Sequence, residues 1–241
     1  MITSRHNPHV KEIRDLAKRK DREEKGLFLV EGSREISHVD PKFIERVYRS
    51  TPLKGVDYEV ILMAPELIEE LTYRGGDAIA LVRMEKQKLG EASLIVAAEG
   101  IEKPGNLGAL MRTADAAGFD AVVSLGGGVD LYSPNVIRAS LGAFFTQTVC
   151  EMSQIQLIEH CTTHKIALFA ASPEAATSLY EIKFPPKVCL IIGSEAFGVS
   201  ASLKEKAQLI SLPMYGKIDS LNASTAFGII AYEIVRQRNL V

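Results

Sequence analysis

The chain has 241 residues, 46% of them hydrophobic and 24% charged, with a formal net charge of −2 at pH 7. That length and apolar content support one large or two modest domains with their own cores and exclude a disordered chain. The near-neutral balance excludes a protein that coats nucleic acid through bulk charge, while leaving room for a local basic surface. No apolar stretch reaches the roughly 18 to 20 residues needed to cross a bilayer, and residues 1–20 are charged rather than signal-like, so a soluble cytoplasmic protein is expected.

In chain order, Val10, Ile13, Leu16 and Ala17 fall at helical spacing and predict an amphipathic helix over residues 7–20. Cations such as Arg5, Lys11, Lys18 and Arg22 crowd this end beside acids such as Glu12, Asp15 and Asp21; a solvated helix face accounts for them as well as an RNA contact does. Residues 26–32 predict a short strand bounded by glycines, with further strands near 46–49, 59–63 and 78–82 and a helix over 65–71. These make an α/β unit of a size that folds alone. The polar run at 84–91 reads as a linker, giving a first domain over residues 1–88 and a second over 93–241.

The second domain carries predicted strands at 94–98, 121–125, 165–170, 188–192 and 209–212, with helices between them, the clearest at 107–117 and 223–238. Such alternation specifies an α/β fold with mostly parallel pairing. Cys150, Cys161 and Cys189 are odd in number, widely spaced and set among apolar residues, so they read as core rather than as a disulfide framework or thiolate site. His160 and His164 are four apart on a predicted helix without an apparent third ligand, and no metal is expected.

Three loops at strand ends carry the polar residues, where open parallel sheets bind ligands. After 94–98 comes Glu99-Gly100-Ile101-Glu102-Lys103-Pro104-Gly105-Asn106, with Asn106 placed as helix N-cap. In the helix that follows, Leu107, Leu110, Met111, Ala114 and Ala117 form the buried stripe, and Arg112 falls nearly opposite it. After 188–192 comes Gly193-Ser194-Glu195-Ala196-Phe197-Gly198, whose glycines permit a tight bend and a close approach of backbone to a ligand. The third loop, residues 213–224, leads into a helix whose Ala226, Phe227, Ile229, Ile230, Ala231, Tyr232, Ile234 and Val235 are apolar around its circumference. A helix apolar on all sides has more than one neighbour, so a second subunit is expected against it.

Asn106-x-Gly108-x-x-x-Arg112, Gly193-Ser194-Glu195-x-x-Gly198 and Leu212-Pro213-Met214-x-Gly216-x-x-x-Ser220-Leu221-Asn222-Ala223-Ser224 resemble the three ordered motifs of the SpoU/TrmH branch of the SPOUT RNA methyltransferases. The residues before the linker are similar to a ribosomal-protein-like domain often fused in front. One departure is Ala223, where the family commonly has valine, a change of packing only. The resemblance implies a C-terminal α/β trefoil-knot domain behind a smaller N-terminal α/β domain that binds the RNA substrate, and a homodimer whose subunits complete each other's sites. It also implies S-adenosylmethionine as cofactor and transfer of its methyl to a ribose 2′-hydroxyl, of ribosomal RNA by the character of the N-terminal domain, with transfer RNA as the alternative. Gly193, Leu212 and Leu221 match cofactor-holding positions; Asn106, Arg112, Glu195, Ser220 and Asn222 match the polar active-site set. A guanidinium stays protonated through the ordinary pH range, so Arg112 is expected to orient a phosphate and stabilise developing alkoxide charge, with base catalysis by the arginine as the open alternative.

Two other classes compete. Gly126-Gly127-Gly128 after a strand suggests a dinucleotide oxidoreductase, but the run continues Val129-Asp130-Leu131 without the third glycine of that fingerprint. A non-catalytic RNA-binding protein has no need of the second and third motifs.

Overall fold

The structure, a computed structural model, describes residues 1–238 apart from Arg74 and Gly127. Its chain forms two compact units, one of Met1–Glu85 with Asp130–Thr146, the other of Lys86–Val129 with the described chain from Gln147 onward.

The first unit opens with α1 (Pro8–Asp15) and α2 (Arg19–Lys25), followed by β1 (Leu27–Glu31), α3 (Ser33–Ile36), β2 (Ile44–Arg49), β3 (Glu59–Leu62), α4 (Pro65–Leu71) and β4 (Ala78–Arg83). The single helix predicted over 7–20 is thus two. Asn7 caps α1 by accepting from His9 N, while Lys18 turns to extended backbone and starts α2 afresh. Arg22, one of the cations in the N-terminal run, explains the break. It is 2% exposed, and its Nη1 donates to the carbonyls of Leu16 and Ala17 at 2.8 Å each. Those carbonyls are the orphan acceptors at a helix end, so the guanidinium of α2 caps α1.

The strands form a sheet in the order β1-β4-β2-β3, antiparallel except for β2 with β3. One face packs Leu29, Tyr48, Ile79 and Leu81 against Val10 and Ile13 of α1, Leu16 just after it, and Leu67 and Ile68 of α4. Side chains alternate along a strand, so Phe28 points to the other face. There it meets Tyr132, Phe144 and Phe145, with ring centroids 5.1, 6.0 and 6.3 Å away. Residues 130–146, predicted as part of the second domain, therefore belong to the first unit, and they carry α6 (Pro134–Ser140). Two ion pairs fasten the segment: Arg22 with Asp130, and Arg138 Nη2 with Glu31 at 2.8 Å.

The second unit runs through β5 (Leu94–Glu99), α5 (Pro104–Ala116), β6 (Ala121–Leu125), β7 (Thr148–Met152), α7 (Gln154–His164), β8 (Ala167–Ala171), β9 (Val188–Ile192), α8 (Ala201–Lys204), β10 (Gln208–Ile210) and α9 (Ala223–Arg238). Its sheet has the order β10-β8-β9-β5-β6-β7, and every pairing is parallel. Every residue of β5, β6 and β9 is buried, as expected of strands covered on both faces. Cys150, Cys161 and Cys189 all sit in this core, where burial pushes the Cys150 thiol up to about 11. The His160 and His164 rings stack at 4.2 Å. Helix α9 buries Phe227, Ile230, Ala231 and Ile234 and packs on α5, with Phe227 edge-on to Phe119 at 5.2 Å. Ile229 and Tyr232 stay 38% and 53% exposed on its other side. No helix among the described residues is long and apolar enough to cross a membrane.

Replacing Arg22 by Met strips two helix-end carbonyls and a partly buried carboxylate of their donor. Truncating one partner of such a pair costs on the order of 3 kcal/mol. Urea denaturation of Arg22→Met should show a loss of that size; a loss below about 1 kcal/mol, the range of exposed pairs, would mean the pair is a surface decoration.

Candidate active site

The three loops leave the sheet at one edge. Strands β5 and β9 are neighbours with Ala98 opposite Ile192, so the segments beginning at Glu99 and Gly193 emerge side by side. This is also where the sheet reverses its order, with β6 and β7 laid down to one side and β8 and β10 to the other, the place where parallel sheets open a crevice. A cavity of about 290 Å³ lies there. Its walls come from residues 171–174 at the end of β8, 192–198 at the end of β9, and Ile210, Leu212, Met214, Asp219, Ser220 and Leu221 at the end of β10, with Gly193 and Glu195 among the second group.

Gly193 is required by its own chain rather than by a ligand. A Cβ there would stand 2.1 Å from the carbonyl carbon of Gly198 and 2.3 Å from the nitrogen of Val199. The loop closes on itself through Gly198 N donating to Ser194 O at 2.9 Å, with Gly198 at φ +65°, a conformation glycine adopts at no steric cost.

Helix α5 starts at Pro104 with Lys103 as its N-cap, three residues earlier than predicted, because proline's fixed φ suits the first helical position. Asn106 is consequently inside the first turn and its side chain is free for other work. Its Nδ2 donates to Glu195 Oε1, and its Oδ1 accepts from Asn222 Nδ2 at 3.0 Å. Asn222 Oδ1 in turn accepts from the nitrogen and hydroxyl of Ser224 at 3.0 and 2.6 Å, capping the start of α9. All three loops are thereby joined in one chain of hydrogen bonds directed from Ser224 to the Glu195 carboxylate. Each amide has one consistent orientation in it, since its oxygen and nitrogen both have assigned partners.

Arg112 does not join this network or line the cavity. It is exposed, as its position opposite the buried stripe of Leu107, Leu110, Met111, Ala114 and Ala117 predicted, and its guanidinium has no partner among the described residues. Six residues beyond Asn106, it lies roughly 9 Å farther along the helix axis.

One part of the site escaped the sequence. Residues 171–174 supply a wall that no motif predicted, with Glu174 paired to Lys204 at 3.3 Å; the signal was the end of another strand in the same sheet. Of the glycine run after β6, Gly127 lies outside the described residues, and Gly128 approaches the carbonyl of Ile101 so closely that a Cβ would stand 2.9 Å from it.

The lining suits a nucleoside carrying a charged amino-acid tail. Ile192, Leu212, Met214, Leu221 and Ala226 offer apolar surface beside Ser194, Glu195 and Ser220. Ser172, also in the wall, buries a hydroxyl that has no hydrogen-bond partner among the described residues, the kind of group a polar ligand satisfies.

Residues 93–232 match the model of the SpoU rRNA methylase family, and residues 7–94 that of an MRM3-like substrate-binding domain. The chain is 28% identical to the 23S rRNA (guanosine(2553)-2′-O)-methyltransferase RlmP of Bacillus subtilis strain 168, covering 97% of this chain and 98% of that one. A crystal structure of an RNA 2′-O ribose methyltransferase superposes with a TM-score of 0.84 at 36% identity, covering 99% of both chains. The SpoU methyltransferase AviRb of Streptomyces viridochromogenes in complex with AdoMet does so with a TM-score of 0.89 at 27% identity, over 98% of this chain and 100% of that one. Fold, pocket and likeness define an RNA 2′-O-methyltransferase that draws its methyl group from S-adenosylmethionine. The chain belongs to the SpoU rRNA methylase family.

A glycine comparison tests the pocket. Gly193→Ala should cost about 1–3 kcal/mol of stability, as overpacking does, and weaken S-adenosylmethionine binding by at least about tenfold in calorimetry. Gly105→Ala, where a Cβ meets nothing within 4 Å, should leave both unchanged. Equal behaviour of the two variants would remove the loop's close approach from the account.

Proposed function

We propose that this chain methylates a ribose 2′-hydroxyl of ribosomal RNA, in the cytoplasm, as a homodimer with a knotted catalytic domain. The observation that carries this reading is that the second and third motifs line one pocket and the first is tied to both through the bonds of Asn106 with Glu195 and Asn222. Ribosomal RNA is favoured by the match of residues 7–94 to a substrate-binding domain model and by a 23S rRNA methyltransferase whose likeness spans both domains. The first unit, which matches that substrate-binding model, is where the RNA docks. A trefoil knot is supported by the crossing of the chain from β9 to β10 on the far side of β8 and by the passage of Gly198 and Val199 against Gly193.

S-adenosylmethionine, when bound, supplies a methyl group already activated by its sulfonium. The protein's tasks are then alignment and removal of a proton from a weakly acidic hydroxyl. Gly193, Leu212 and Leu221 hold the cofactor. Asn222 fixes Asn106, Asn106 fixes the Glu195 carboxylate, and with Ser220 they orient the ribose. Arg112 orients an RNA phosphate and stabilises the alkoxide as it forms, a positioned cation acting where charge develops.

The placement of Arg112 supports the dimer. Within one chain the arginine stands away from the cavity, so a second copy must bring it to a pocket it does not itself line. Helix α9 keeps Ile229 and Tyr232 exposed for such a contact.

In single-turnover transfer at saturating RNA, Arg112→Ala should retain folding and cofactor affinity yet lose at least about a hundredfold in rate, and Arg112→Lys should not restore it, because an ammonium lacks the planar fork. Near-normal turnover in the alanine variant would reduce the arginine to a surface charge. Light scattering should find a dimer at micromolar concentration. Mixing Arg112→Ala chains with Gly193→Ala chains should recover up to about a quarter of wild-type activity through heterodimers with one intact site; a stable active monomer, or no recovery in exchanging dimers, would refute the shared site.

A further inference from the structure

Glu99 is the last residue of β5 and has no part in the mechanism above. It is only 9% exposed, and a carboxylate taken out of water needs its oxygens satisfied. Both are. Oε2 accepts from the backbone nitrogen of Ser200 at 2.8 Å, and Oε1 accepts from Gln154 Nε2 at 2.5 Å. The Gln154 amide is itself fixed, since its oxygen accepts from Ser202 Oγ at 2.7 Å while its nitrogen also reaches Ser200 Oγ at 3.2 Å. One carboxylate therefore ties the end of β5 to the first residue of α7 and to the chain that leaves the second motif.

That chain is the return limb of the pocket wall. Residues 193–198 line the cavity, and their two ends are Gly193, directly after β9, and Gly198, which with Val199 passes against Gly193 with no room for a Cβ. Gly193 holds this limb from one side. Glu99 holds it from the other, two residues beyond Gly198. Glu99 also precedes Gly100, whose φ of +63° begins the loop to Asn106 and whose added Cβ would lie 3.7 Å from Ser194. A glutamine here would turn an amide N–H₂ toward one of two converging donors, so the site calls for a group that accepts at both oxygens.

We infer that Glu99 is a positioning residue for the methyl-donor pocket, acting through the Ser200 amide to hold the 193–198 wall in its ligand-ready shape. This rests on the proposed use of the pocket for S-adenosylmethionine. It predicts an effect on cofactor affinity out of proportion to any effect on stability or on the chemical step.

The experiment measures S-adenosylmethionine affinity by calorimetry, thermal unfolding, and kcat at saturating cofactor and RNA, all on the full chain. Glu99→Gln should raise Kd by about tenfold or more while kcat at saturation changes less than about threefold. Gln154→Met keeps the carboxylate and its bond to Ser200, and should raise Kd by about threefold; it carries the test if Glu99→Gln does not fold. Leu157→Ala, a fully buried position on α7, should lower the melting temperature at least as far and leave Kd within about twofold. Wild-type affinity in Glu99→Gln, or in Gln154→Met where that is the folded variant, would overturn the inference. So would a Kd that rises in Leu157→Ala in step with its lost stability, since Glu99 would then be an ordinary stabilising group. Failure of the wild-type chain to bind S-adenosylmethionine would instead strike the proposed function itself.

Discussion

The pairing of β5 with β9 is the constraint on which the rest of the second unit depends. Two strands separated by some ninety residues of sequence lie side by side in register, Ala98 opposite Ile192, and end at the same level. Whatever follows them must share the same few ångströms of space. The result is a crowded crevice in which glycine is obligatory at Gly193 because a neighbouring backbone occupies the place of a side chain. Backbone groups held that tightly are preorganised, and a preorganised wall loses little entropy when a ligand settles against it.

The polar residues around the crevice divide by direction. One network runs along its mouth, from Ser224 through Asn222 and Asn106 to the Glu195 carboxylate. Another lies behind the wall, where Glu99 gathers the Ser200 amide and Gln154. Each ends on an acid, and each connects segments that no backbone ladder joins. In a sheet whose central strands are wholly buried, these two acids are the means by which loops of separate origin acquire fixed positions.

The first unit solves a different problem. Its sheet presents an apolar face that its own 85 residues do not cover, and the covering comes from residues 130–146, which the chain contributes from the middle of the second domain's sequence. Phe28 meets three aromatic rings there, and Arg22 leaves the charged surface for which its sequence neighbours suit it to pair with Asp130 and cap α1. Buried in this way, the guanidinium spends its donors on structure, whereas Arg5, Arg14 and Arg19 of the same run form exposed ion pairs with Glu70 and Glu23.

The sequence by itself determined the elements whose signal is local. Helix α4, bounded by Pro65 and Leu71, and strand β1, bounded by Gly26 and Gly32, were legible because turn residues and periodicity act within a few positions, and so were the all-buried strands β6 and β9. The outward face of Arg112 was likewise legible from helical spacing, and the three motifs from their resemblance to those of a known family. Tertiary structure alone decided that Asn106 bonds Glu195 and Asn222 instead of capping its helix, that α1 stops at Asp15, and that Glu99 is buried behind the pocket. It alone gave the segment 130–146 to the first unit. The reason is common to all four. An isolated chain states which groups need partners, but for a buried guanidinium, carboxylate or aromatic ring the partner stands scores of residues away, and only the folded sheet brings it within reach.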